Sequence, residues 1–114
     1  MLLVGVQSIS VKVSAEEIQS IARDLQMLRN QIQTVSSQSS EYSITIEALR
    51  NQDPNRPIFR SLGNLLLEVD DRELLESELI ASKQSLDDHL ARLIEREENL
   101  RDQYEKKASQ FENG

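Results

Sequence analysis

The chain has 114 residues and a formal net charge of −7, from thirteen Lys and Arg against twenty Asp and Glu. One domain is expected at this length, and the acidic balance with scattered basic residues argues against binding nucleic acid or an anionic membrane surface. Cys is absent, which excludes disulfides, thiolate metal sites and cysteine nucleophiles. With 4% aromatic residues, three Gly and two Pro, the composition favours a few long helices.

The N-terminal segment contains no recognisable targeting signal. Residues 1–6 lack both the basic start and the length of a secretory signal, and no stretch of the chain is apolar for long enough to span a membrane. We therefore expect a soluble, cytoplasmic protein. Residues 1–13 are predicted to form a flexible tail; a disordered extension or a start-site artefact is favoured over a binding segment or a strand.

A first long helix is predicted over residues 14–52. Ser14 and Glu17 form a capping box, which predicts the helix start. Beyond it, seam residues recur at alternating steps of three and four, and Ser39 alone among them is neither apolar nor aromatic: Ile18, Ile21, Leu25, Leu28, Ile32, Val35, Ser39, Tyr42, Ile46 and Leu49. The Ser-rich residues 36–40 could form a loop by composition. The heptad phase continues across them, which favours one continuous helix.

A β-hairpin is predicted over residues 57–69. Pro54 and Pro57 end the first helix, because proline lacks an amide proton and restricts the residue before it. Two short apolar runs then flank Gly63-Asn64, a pair typical of a type II′ turn with glycine at the positive-φ position.

Both faces of this hairpin carry apolar side chains. The predicted register places Ile58, Arg60, Leu62, Leu65, Leu67 and Val69 on one face and Phe59, Ser61, Leu66 and Glu68 on the other. An isolated two-stranded sheet is marginal in water, and burying each large apolar side chain would contribute roughly 2 kcal/mol. We therefore predict that several hairpins join into a larger sheet or barrel through Ile58, Phe59, Leu62, Leu65, Leu66, Leu67 and Val69.

A second long helix is predicted over residues 71–111, opened by Asp70 with Glu73 as its cap. Its seam is a leucine ladder interleaved with a second set of residues: Leu79, Leu86, Leu93 and Leu100, with Lys83, Leu90, Glu97, Tyr104 and Phe111 between and beyond them. The short connection predicts that the helices fold back on each other. The predicted fold is mainly α: two long helices in an antiparallel coiled coil joined by a β-hairpin, with residues 14–114 as one domain.

No catalytic constellation is evident. His89 has no second His nearby, so a surface helix position explains it better than a metal or acid-base role. Asp87 and Asp88 are adjacent on a helix and point in different directions, so they cannot share a substrate atom. Gly-rich phosphate loops and HExxH are absent. We expect no enzyme activity, no metal and no cofactor.

The order of these elements resembles a β-type prefoldin subunit from Ser14 to about Phe111. The segments VSAEEI, EYSITIEAL and RPIFRSLGNLLLEV carry the resemblance, and they are most similar to the subunit 2 type of eukaryotes. The hairpin is the specific part of the pattern. Asn64 stands where many relatives have a second Gly, and the Ser-rich segment weakens the first seam.

The resemblance implies an ATP-independent co-chaperone. Six subunits of α and β type would join through their hairpins into a β-barrel, and the helix tips would hold unfolded chains and deliver them to a cytosolic group II chaperonin. In eukaryotes the typical clients are actin and tubulin. The residues expected at the client-binding tips are Val13, Ile18, Ile21, Leu25, Leu100, Tyr104 and Phe111. The alternative is a coiled-coil adaptor without chaperone activity, in which the hairpin is incidental.

Overall fold

The computed structural model describes the backbone of residues 2–113 and the side chains of residues 15–113. Its elements are, in chain order, α1 (Leu2–Asn51), β1 (Phe59–Leu62), β2 (Leu65–Glu68) and α2 (Arg72–Asn113). The strands pair antiparallel in a two-stranded sheet. The predicted arrangement of two long helices separated by a β-hairpin is confirmed.

Helix α1 runs through the Ser-rich residues 36–40 without interruption, so the prediction of a continuous helix is confirmed. Threonine hydroxyls inside α1 donate to the carbonyl oxygens four residues earlier. Thr34 Oγ1 lies 3.0 Å from Asn30 O, and Thr45 Oγ1 lies 2.9 Å from Glu41 O. These bonds satisfy the hydroxyls within the helix, where they would otherwise compete for its backbone.

The start of α1 differs from the prediction, because the helix begins at Leu2 and not at Ser14. Residues 2–13 contain no proline that would interrupt a helix. A capping sequence such as Ser14 to Glu17 favours a helix start but does not prevent a helix from continuing through it. The side chains of residues up to Ser14 lie outside those described, so the capping box is not described. The flexible tail over residues 1–13 stays a prediction.

The connection from α1 to the hairpin is a tight turn. After α1 ends at Asn51, the Asp53 carboxylate accepts the amide of Asn55 at 2.9 Å, and Asp53 O accepts the amide of Arg56 at 3.0 Å. Pro54 between them cannot continue the helix.

The hairpin has the predicted register, with Phe59 opposite Glu68 and Leu62 opposite Leu65. The amide of Val69 donates to Ile58 O at 2.8 Å, which extends the pairing beyond the strands. Gly63 has φ near 60°, and no other residue type has positive φ in the described part of the chain. Positive φ at the first central position alone is the pattern of a type II′ turn.

Helix α2 begins at Arg72, and its cap is Asp71, so the prediction of Asp70 as the cap is wrong. The Asp71 carboxylate accepts the amide of Leu74 at 3.0 Å, the third residue of the helix. Asp70 connects the hairpin to this cap, because the residue before it, Val69, is still hydrogen-bonded to Ile58 in the hairpin. The helix ends at Asn113, beyond the predicted residue 111.

The chain forms two compact units: unit 1 is Met1–Thr34 with Leu90–Gly114, and unit 2 is Val35–His89. In unit 1, Leu25, Leu28 and Leu93 are buried between the helices. In unit 2 the buried residues are Val35, Ile46 and the polar Ser39. The predicted seam positions are buried or half-buried over residues 18–49 of α1 and over residues 79–104 of α2, whereas Phe111, also predicted on the seam, is exposed.

Contacts within each unit run antiparallel. In unit 1, Glu17 pairs with Lys107 and Arg29 pairs with Glu97, so higher positions on α1 meet lower positions on α2. In unit 2 the same reversal relates Ser39 with Asp87 to Arg50 with Glu76. The helices therefore fold back on each other in both units, as predicted.

The turn at Gly63 generates a test of the hairpin. A Cβ at Gly63 would meet nothing within 4 Å, so Gly63→Ala acts through the strained positive φ alone. We expect it to destabilise the hairpin by about 1 kcal/mol, giving roughly fivefold faster amide hydrogen exchange in β1 and β2. Asn64→Gly is the control, since Asn64 has ordinary φ. Equal exchange in Gly63→Ala and the parent would contradict the turn assignment.

Candidate functional site

The hairpin leaves a contiguous set of apolar side chains exposed. Phe59, Leu62, Leu65, Leu66 and Leu67 are all exposed, from 44% for Leu67 to 72% for Leu66. Ile58 and Val69, at the base of the hairpin, are half-buried. The structure therefore brings all the predicted hairpin residues together on one small sheet, with most of their surface uncovered.

An open cleft of about 430 Å³ lies between the hairpin and the helices of unit 2. Its lining combines apolar and polar residues from α1, β1, α2 and the connection between α1 and β1: Thr45, Ala48, Leu49, Gln52, Ile58, Phe59, Arg60, Ser61, Leu75 and Leu79. The space between these residues means that the hairpin is not closely packed on this side. The helices of the chain thus do not bury the apolar hairpin that they carry.

Two arginines make contacts at the hairpin and at the turn that leads into it. Arg72 Nη2 donates to the carbonyl oxygens of Asp53, at 3.1 Å, and of Arg56. Arg60, on β1, lies 3.7 Å from a carboxylate oxygen of Glu78 on α2. The sequence analysis did not identify either contact, because neither belongs to a recurring spacing.

The tip of unit 1, which we define as residues 15–21 with residues 100–113, brings the predicted client-binding positions near one another. Lys107 Nζ lies 2.5 Å from Glu17 Oε2, which joins the two helices there. Ile18, Ile21, Leu100 and Tyr104 are half-buried. Phe111 is 43% exposed.

Two predicted tip residues, Leu25 and Val13, do not belong to the surface described above. Leu25 is only 5% exposed and belongs to the packed interior of unit 1, so its surface is not accessible to a client. Its heptad position does not distinguish it from Ile18 and Ile21, which are half-buried; the packing of the two helices around it does. Val13 lies outside the described side chains.

A polar cluster occupies the seam of unit 2. Ser39, 7% exposed, donates from Oγ to Asp87 Oδ1 at 2.5 Å, and Lys83 Nζ lies 2.6 Å from Asp87 Oδ2. The hydrogen bonds from Lys83 and from Ser39 lower the pKa of the Asp87 carboxyl below its usual range, against the opposing effect of desolvation. The sequence signal for this cluster was present: Ser39 and Lys83 are polar residues at seam positions of the two helices.

The two adjacent aspartates of α2 have different partners. Asp87 binds Ser39 and Lys83, whereas its neighbour Asp88 accepts a hydrogen bond from Gln84. Over residues 15–113, no group of His, Asp and Glu side chains is placed to hold a metal ion. Neither helix, as far as the structure describes it, is long and apolar enough to cross a membrane.

Comparison with known proteins agrees with this architecture. The sequence profile described as "Prefoldin subunit" matches residues 13–113. The chain therefore belongs to the prefoldin subunit family. Among solved structures, the prefoldin beta subunit from Thermococcus strain KS-1 is similar, with 17% identity, a TM-score of 0.83, and coverage of 91% of this chain and 90% of that chain. That likeness shows the β-type fold. No curated protein sequence matches the chain.

The Asp87 cluster predicts a pH-dependent contribution to stability. Because the folded carboxyl has a lowered pKa, its contribution is present at neutral pH and is lost as the pH falls through the pKa values of the unfolded and folded carboxyl, from about 4 downward. Asp87→Asn should lower the thermal midpoint at pH 7 and have little effect near about pH 2. Asp88→Asn is the matched control, since Asp88 does not contact Ser39 or Lys83. A midpoint difference that is the same at both pH values would refute the assignment.

Proposed function

We propose that the chain is a β-type subunit of a hetero-oligomeric, ATP-independent co-chaperone. In this proposal its hairpin joins those of α-type and other β-type prefoldin subunits in a β-barrel, and its helix tips capture unfolded polypeptides. The complex then delivers them to a group II chaperonin in the cytoplasm. In a eukaryotic cell the clients would include actin and tubulin, and the chain would correspond to the subunit 2 type.

The exposed hairpin is the single observation that carries this proposal. Five large apolar side chains are exposed on eight strand residues and their turn, and the strand edges carry unpaired backbone groups. Such a surface is unfavourable in water unless another chain covers it. A coiled-coil adaptor, the alternative considered for this sequence, would have no need of it. Membership of the prefoldin subunit family supports the same choice.

The tip of unit 1 supports the capture step with fewer accessible residues than the sequence predicts. Phe111 offers exposed aromatic surface, and Ile18, Ile21, Leu100 and Tyr104 are each partly accessible. Partly exposed apolar residues at the end of two helices can contact apolar segments of an unfolded chain without unfolding themselves. Neighbouring carboxylates such as Glu16 and Asp102 keep this surface solvated.

Assembly through the hairpin is tested by charge. Phe59→Asp combined with Leu66→Asp should abolish formation of the hexamer when the chain is mixed with an α-type prefoldin subunit, because the assembly would bury both carboxylates. The mass of the complex is measured by light scattering after chromatography. Ile44→Asp with Met27→Asp, at exposed apolar positions away from the hairpin, is the matched control. Hexamers of unchanged mass from the hairpin variant would exclude assembly through this surface.

Capture at the tip is tested in the assembled complex. Without nucleotide, Phe111→Gln should weaken the suppression of aggregation of a diluted, denatured protein by at least about twofold, since it removes exposed apolar surface from the tip. Ile94→Gln is the control, because Ile94 is 39% exposed on the same helix but lies outside the tip. Truncation at Asn99, which removes the C-terminal part of the tip, should have a larger effect. Full suppression by the truncated complex would argue against tip capture.

A further inference from the structure

A guanidinium group links the two connections between the hairpin and the helices. Arg72 is the first residue of α2, and its Nη2 donates to the carbonyl oxygens of Asp53 and Arg56 in the turn that leads into β1. The same side chain therefore contacts the segment before the hairpin while it is itself part of the segment after it. Arg72 is half-buried at this position.

Carbonyl oxygens of the turn accept hydrogen bonds from a side chain outside it. Pro54 and Pro57 have no amide proton, so the segment between α1 and β1 has fewer backbone donors than carbonyl oxygens. The amide of Arg56 satisfies Asp53 O in part, and Arg72 supplies the further donors. A guanidinium nitrogen carries two N–H groups in a fixed plane, whereas a lysine ammonium lacks this planar geometry.

Few other contacts orient the hairpin. Arg60 and Glu78 are 3.7 Å apart with both side chains more than half exposed, and such an ion pair contributes little. The open cleft beside β1 provides no close packing there. The direction in which the hairpin projects from the helices of unit 2 therefore depends on the Arg72 contacts, together with the half-buried Ile58 and Val69 at its base.

We infer that Arg72 is a positioning residue, which fixes the orientation of the hairpin before assembly. This inference rests on the proposed function of the hairpin. Joining several hairpins requires each to be ordered, and a hairpin that is already oriented in the free chain loses less conformational freedom when it binds. Arg72 thus strengthens assembly although it contributes no apolar surface to it.

The test measures assembly and hairpin order separately. Arg72→Gln should weaken assembly with an α-type prefoldin subunit by about tenfold, as measured by sedimentation over a dilution series, while the helix content by circular dichroism stays unchanged. Arg72→Lys, which keeps the charge, should weaken assembly less than Arg72→Gln does. If Arg72→Gln loses helix content, Arg72→Lys becomes the variant that tests whether Arg72 strengthens assembly. Arg56→Gln is the control, since that side chain has no ion pair with any side chain in residues 15–113.

Amide order parameters of residues 59–68 in the free chain provide the second measurement. They should fall in both Arg72 variants and not in Arg56→Gln. If both Arg72 variants assemble within twofold of the parent and keep ordered hairpins, the inference is overturned. If the Phe59 and Leu66 charge variants leave the hexamer intact, the proposed function fails instead, and the order parameters still report whether Arg72 positions the hairpin.

Discussion

The structure depends on one imbalance: a small sheet carries more apolar surface than its own chain can cover. Two strands of four residues each hold Phe59 and four leucines exposed, and the helices that flank them direct their apolar seams at each other. Those seams are satisfied within the chain, as the burial of Leu28, Leu93 and Ile46 shows. The apolar side chains of the hairpin are not covered within the chain, so their burial requires a second molecule. The helices therefore stabilise the chain itself, whereas the hairpin offers a surface to another chain.

The helices also differ along their length in how they are held together. In unit 1 the seam is leucine-rich, and Glu97, largely covered, receives Arg29 from the opposite helix. In unit 2 the seam contains Ser39, which would leave Asp87 without one of its donors if it were replaced by an apolar residue. Polar residues in a helix seam favour particular pairings at some cost in stability. Hydrogen bonding to Asp87 accounts for the presence of a small polar residue at Ser39.

Most of the fold and the position of the exposed apolar hairpin could be predicted from the sequence, whereas the accessible residues of the tip could be predicted only in part. Local geometry links each sequence feature to one element: the heptad spacing predicts the two helices, the two prolines predict the end of the first helix, and Gly63-Asn64 predicts the turn. The strand register then follows from the position of the turn. The cap of α2 was misplaced from Asp71 to Asp70, because either aspartate satisfies the sequence pattern and only the extent of strand pairing decides between them. The contacts of Arg72 join residues distant in sequence, which periodicity does not reveal. For the Asp87 cluster, the polar residues Ser39 and Lys83 on the seams give a signal, but the pairing of Ser39 with Asp87 across the helices does not follow from the spacing. The burial of Leu25 depends on its depth in the seam, which spacing alone does not give.

The type II′ turn at Gly63 has a consequence for how this family member could change in length. Successive strand residues alternate between faces, so a one-residue insertion after Asn64 that keeps the two-residue turn would shift the strand pairing by one and transfer every side chain of β2 to the opposite face. Leu65 and Leu67 would then exchange faces with Leu66 and Glu68, and a carboxylate would enter the more apolar side. An insertion of two residues would preserve the alternation. The register of the strand pairing, which the two-residue turn determines, therefore decides which β2 side chains the neighbours in an assembly would meet.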